Sequence, residues 1–355
     1  MRGLLAGSQL VGAARRWRVA QGPLVAHHTF CTATTQPSAA KPRVSLSTDD
    51  FRYCLDQVKL ADYWHWYCGG FLPAGSRRNC YFALRALNLE LLANEPGPAS
   101  NDTQTQMHIE GKADAKALVR LDWWREAINK CYKERSKRPE DTEQVPGHPV
   151  VRALHYAIRE HKLSKMWFSS IVKARKRSVE QLQPGTMEDL EQYADDTAGS
   201  LMRLSLELVG DEMSATDQSN RDHAASHAGR AVGMAFLLRA TIDQLKARKC
   251  FLPMANTAAH GLSAEALFKG ERSKEFSDVV YEVACVANEH ARLARDMALG
   301  LDKDAKTVFL PLLVAENFLT SLQRSDFDLF EPRLYHPVER LRAQIGIQKA
   351  VWFGM

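Results

Sequence analysis

The stretch from Ala231 to Pro253 constrains this chain more than any other, because its pattern dictates a helix. Val232, Phe236, Leu238, Ile242 and Leu245 fall at spacings that gather one broad apolar stripe on a helical surface. The stripe ends in Lys246, Arg248 and Lys249, cations that complement the partial negative charge of a helix C-terminus. Phe251-Leu252-Pro253 closes the segment, since proline disfavours helical backbone in the residue before it. Helical periodicity is also kept from Lys274 to Ala298 and from Leu310 to Leu322.

Composition narrows the class. A chain of 355 residues has room for one large domain or two small ones, and 45% hydrophobic with 25% charged residues is ordinary for a globular protein. The net charge of +5 is spread along the sequence, whereas nucleic-acid binding needs a clustered basic face and a reading module. No nucleic-acid partner is therefore expected. Seven cysteines (Cys31, Cys54, Cys68, Cys80, Cys131, Cys250, Cys285) form no C-x-x-C pair and suit free thiols in a reducing compartment. The most apolar runs are short: Ala231–Leu238 is bounded by Arg230 and Arg239, and Val308–Ala315 contains Pro311. Any membrane contact is expected to be peripheral. Neither a Gly-rich Walker loop nor a G-x-S-x-G turn is present.

Residues 1–40 are of a different character. Arg2, Arg15, Arg16 and Arg18 occur with Leu4, Leu5, Leu10, Val11 and Trp17, and no acidic residue precedes Asp49. An arginine-rich, acid-free, amphipathic leader is the pattern of a mitochondrial presequence. The helical domain is expected over residues 45–345, with the polar, Pro/Gly-punctuated Glu95–Ala113 stretch as a surface loop. A helix is predicted from Phe51 to Gly69 and another from Ser164 to about Leu182. Within the latter, the basic run Lys173-Ala174-Arg175-Lys176-Arg177 reads as a solvated face, with a site for acidic lipid head groups or an acidic partner as the sharper alternative. His223 and His227 stand four apart, but the sequence offers neither the Glu of a zincin nor a third ligand, so an ordinary surface or core pair is expected. Asp195 and Asp196 are read as polar helix residues rather than as the lip of a cavity.

Several motifs resemble those of the squalene and phytoene synthase family. Phe71-Leu72-Pro73, Arg77 and Tyr81-Phe82-Ala83-Leu84 are similar to its F-L-P…R…Y-A-L helix. Leu121-Asp122-Trp123-Trp124-Arg125, His148-Pro149-Val150, Thr186…Asp189-Leu190, Ala198-Gly199-Ser200 and Phe327-Asp328-Leu329-Phe330 match further family segments. Arg239, Lys246, Lys249 and Phe251-Leu252-Pro253 fit the frame of its second catalytic helix. The resemblance covers about Phe51 to Leu334 and implies an all-α, isoprenoid-synthase-type single-domain helical bundle around a central cavity.

The same alignment implies lost chemistry. The family grips a prenyl diphosphate through magnesium ions, which need hard oxygen ligands from aspartate-rich motifs on two helices. In the register set by Ala83 and Leu84, Leu92 and Ala93 occupy the paired aspartate positions of the first motif, with Glu90 out of register. In the second, Ala240 replaces the first aspartate, while Asp243 and Gln244 take the next two acidic positions. Ser178 stands where active members carry a further aspartate. The expectation is a pseudoenzyme with no catalytic residue, metal or cofactor, in which Arg239, Lys246 and Lys249 are candidates for residual anion or lipid binding.

A presequence joined to such a domain is similar to the mitochondrial branch of the family that serves assembly of respiratory complex I, peripheral on the matrix side of the inner membrane. The partners so implied are complex I subunits or other assembly factors, with an isoprenoid-like or lipid molecule as a possible ligand. A structural subunit of a mitochondrial complex and an active prenyl transferase with rearranged ligands are the alternative readings.

Overall fold

The computed structural model describes residues 48–92, 115–134, 145–210 and 215–353. The leader over 1–40, Ala93 and the 95–113 loop lie outside the described residues. Every regular element among those described is helical. In order these are α1 (Thr48–Ala61), α2 (Tyr63–Gly69), α3 (Ser76–Leu92), α4 (Ala115–Glu134), α5 (Pro149–His161), α6 (Lys165–Glu180) and α7 (Met187–Ala194). A π-helical turn (Asp195–Gly199) leads into α8 (Ser200–Val209) and the long α9 (Ala215–Lys246). Then come α10 (Met254–Ala259), α11 (Ala264–Lys269), α12 (Lys274–Ala298), α13 (Lys303–Val308), α14 (Leu310–Gln323), a 3-10 turn (Pro332–Tyr335) and α15 (Pro337–Phe353).

The helix expected without interruption from Phe51 to Gly69 is broken at Asp62. Asp62 leaves helical backbone at φ −134° and caps α2, its carboxylate accepting the His65 backbone N–H at 3.2 Å. Elsewhere local chemistry and structure agree. Thr186 and Asp189 form a reciprocal capping box at α7, and Ser263, Ser273 and Asp302 accept N–H donors at the starts of α11, α12 and α13. Pro149 and Pro311 occupy first turns, where a missing N–H costs nothing.

The helix read first in the sequence is the axis of the structure. α9 packs most extensively along α12 and also contacts α7, the π turn, α8 and α14. Its buried face is Ala224, Ala225, Ala228, Ala231, Val232, Met234, Ala235, Leu238 and Leu245, with Phe236 and Ile242 half-buried. The small residues matter, because they let neighbouring backbones come close. A Cβ on Gly233 would stand 2.8 Å from the Ala194 Cβ on α7. On the other side α3 is clasped by α1, α5 and α8, and buries Tyr81, Leu84, Leu87 and Leu91. Burial at about 25 cal/mol per Å² of apolar surface makes these layers the main stabilising term.

Candidate functional site

The positions that the sequence aligns with the family's two metal motifs end two different helices. Leu92 closes α3 half-buried, one residue after Leu91, which is fully buried. Glu90 lies half-buried with its carboxylate 3.8 Å from His148 Nε2, and burial holds its carboxyl above the usual range. On α9, Ala240 and Gln244 are half-buried, and the Gln244 Oε1 is buried without a hydrogen-bond partner among the described residues. Asp243 points to solvent with Lys246 at 3.0 Å, the two side chains being 73% and 67% exposed.

The three cations grouped in the sequence reading meet three different surroundings. Arg239 is half-buried over the Phe318 ring at 5.9 Å, and Lys246 is engaged with Asp243 in solvent. Lys249 turns inward, 3% exposed, over the Phe251 ring at 4.8 Å and donating to Ser178 Oγ at 3.5 Å. Nearby, the basic run of α6 corrects the expectation of a uniformly solvated face. Lys173 is exposed, Lys176 reaches Asp122 at 3.0 Å and Arg177 pairs with Asp196, but Arg175 is buried. It donates to Asn88 Oδ1 on α3 at 3.0 Å and to the Tyr193 hydroxyl on α7. At about 100° per residue, five consecutive helical positions cannot share one face, so one of them must turn in.

A buried polar group missed by the sequence reading joins α2, α3 and α9. His65 Nδ1 donates to Asp62 Oδ2 at 2.7 Å, the Arg85 guanidinium lies over the Tyr81 ring at 5.2 Å, and the Phe236 ring meets His65 edge-on at 5.5 Å. Burial raises the Asp62 carboxyl, but His65 and Arg85 outweigh it and leave the group below its usual value. Burial, then the Arg85 charge, hold His65 below its ordinary value, favouring the neutral ring.

A second group links α7, α9 and α12. His227 Nδ1 is 2.8 Å from His290 Nδ1, and His290 Nε2 is 2.9 Å from Glu191 Oε2. His227 Nε2 faces His223 Nε2 at 3.2 Å. Asp195 on the adjacent π turn pairs with Arg203 at 2.9 Å and Arg230 at 3.7 Å, while Asp196 pairs with Arg177. Among the described residues no group of three or more His, Cys, Asp or Glu side chains is placed to hold a metal ion. One surface hollow, of about 400 Å³, is bordered by Arg221, His223, Met297 and Asp302. Another, of about 890 Å³, is lined by polar residues such as Arg272, Lys274, Arg324 and Glu339. Neither includes Leu92, Ala240 or Gln244.

An all-helical bundle carrying these motif segments defines a class. The sequence model for squalene/phytoene synthase matches residues 59–341, and the chain belongs to that family. It is 33% identical over 297 residues to NADH dehydrogenase (ubiquinone) complex I, assembly factor 6 of Bos taurus, covering 84% of this chain and 81% of that one. It is 31% identical over 283 residues to the assembly factor 6 homolog of Dictyostelium discoideum, covering 79% and 72%. Among solved structures, a dehydrosqualene synthase in complex with ligand superposes with a TM-score of 0.65 at 15% identity, over 85% of this chain and 96% of that one. That likeness shows the isoprenoid-synthase fold.

Proposed function

We propose that this chain is a non-catalytic mitochondrial factor for assembly of respiratory complex I. The observation that carries the reading is its similarity, over some four fifths of its length, to proteins named as complex I assembly factors.

The residues at the former metal motifs support it. Magnesium needs several hard oxygen ligands in a near-octahedral array. Leu92 and Ala240 have no oxygen to offer, Gln244 offers a neutral amide, and Asp243 is turned to solvent against Lys246. These side chains do not fit a magnesium cluster. The scaffold instead acts by contacts with complex I subunits or other assembly factors, with a lipid or isoprenoid-like molecule as a further ligand. No helix among the described residues is long and apolar enough to cross a membrane. Placement on the matrix side of the inner membrane, reached by means of the arginine-rich leader and held peripherally, belongs to the same proposal.

Gene disruption followed by native-gel separation of respiratory complexes tests the reading. Loss of complex I with the other complexes intact is expected; unaltered complex I would overturn it. An assembly factor should also be absent from the finished complex, whereas a structural subunit would co-purify with it stoichiometrically.

A further inference from the structure

With its three rings neutral, the hydrogen-bonded run Glu191–His290–His227–His223 has a single polarity. A carboxylate accepts, so His290 donates to Glu191 from Nε2. The Nδ1 of a neutral His290 ring is then an acceptor, and His227 must donate to it from its own Nδ1. This leaves the His227 Nε2 lone pair aimed at His223 Nε2, 3.2 Å away. Two nitrogens bound at ~2.0–2.1 Å to one tetrahedral metal stand about 3.3 Å apart. The separation therefore suits a pair of ligands.

Burial decreases from His290 outward. His290 is 8% exposed, His227 is half-buried and His223 is exposed. Glu191 is itself half-buried, so His290 is the protected member of the run, and the imidazole pair opens outward. A metal-ligating histidine usually donates its other ring N–H to an acceptor that orients it, the part His290 plays for His227. His223 and His227 lie four apart on α9, so one helical face presents both.

We propose that His223 and His227 form a two-imidazole site for a borderline divalent transition metal of the zinc and copper class, oriented by His290 and Glu191. Imidazole suits these ions and not magnesium. With no third protein donor converging among the described residues, water or a small anion completes the coordination. The hollow of about 400 Å³ beside His223 gives it access. The site is distinct from the former magnesium motifs and independent of the assembly role.

Calorimetric titration of the full chain with zinc chloride, repeated with copper(II), tests this. One site is expected to disappear in His223→Gln and in His223→Gln/His227→Gln, with any binding by other histidines left unchanged. His223→Gln changes an exposed side chain and leaves the supporting hydrogen bonds in place, so it keeps the test valid if the double variant folds poorly. Glu191→Gln should weaken the site about 10–100-fold, the usual effect of losing a supporting partner. Equal stoichiometry and affinity in the wild type and His223→Gln would overturn the site; unchanged affinity in a folded Glu191→Gln would overturn the orienting role.

Discussion

Gly229 on α9 lies against Gly199 in the π turn so closely that a Cβ on Gly229 would fall 2.1 Å from the Gly199 Cα. The obstacle is backbone, which cannot swing aside as a side chain can. Ala198-Gly199-Ser200 was legible as a small-residue segment; its partner on α9 was not, because only tertiary packing brings the two together. Gly229→Ala should therefore destabilise the domain by about 1–3 kcal/mol through overpacking. A chemical-denaturation midpoint indistinguishable from that of the wild type would contradict this contact.

The end of α3 offers a contrast between adjacent residues. Leu91 is fully buried and Leu92 half-buried. Leu91→Asp should cost about 3 kcal/mol or more, since it buries a carboxylate without a partner. Leu92→Asp and Ala240→Asp, at half-buried positions, should cost nearer about 1 kcal/mol. Thermal melts of the three variants check the order, and equal losses at Leu91 and Leu92 would refute the register.

Acid sensitivity follows from the Asp62–His65–Arg85 group. His65 is held below its ordinary value of about 6.5, so folded and unfolded states are alike above that pH. Below it the unfolded chain binds a proton that the folded chain resists, and stability falls with pH. Asp62, also lowered, contributes stability that is present above its ordinary value of about 3.9 and lost as pH falls through its folded value. The melting temperature should thus drop from about pH 7 to about pH 5. His65→Gln should flatten that slope only in part, because His148, His155 and His161 are lowered as well, chiefly by burial. An unchanged slope in the variant would contradict the assignment to His65.

Much of the fold was written locally. The stripe of α9 depends on residues within a few positions of one another, and it predicted that helix; the Thr186–Asp189 box and the first-turn prolines are equally local features that the structure adds. Asp62 was harder: it interrupts a continuous helical pattern, and its capping role is secured by the packing of His65 and Arg85. The inward turn of Arg175 needs Asn88, 87 residues away in sequence. His290 and Glu191, separated by 99 residues, meet only because α7 and α12 flank α9. The spacing of His223 and His227 could have signalled a helical pair, but not its supports.

The proposed assembly role requires no metal-dependent chemistry. The most direct test is the complex I level on native gels when gene-disrupted cells re-express Asp243→Ala combined with Glu90→Gln, the carboxylates at or beside the positions aligned with the family's two metal motifs. Restoration to the wild-type level is predicted. Failure of a stably folded, normally abundant variant to restore complex I would contradict the account.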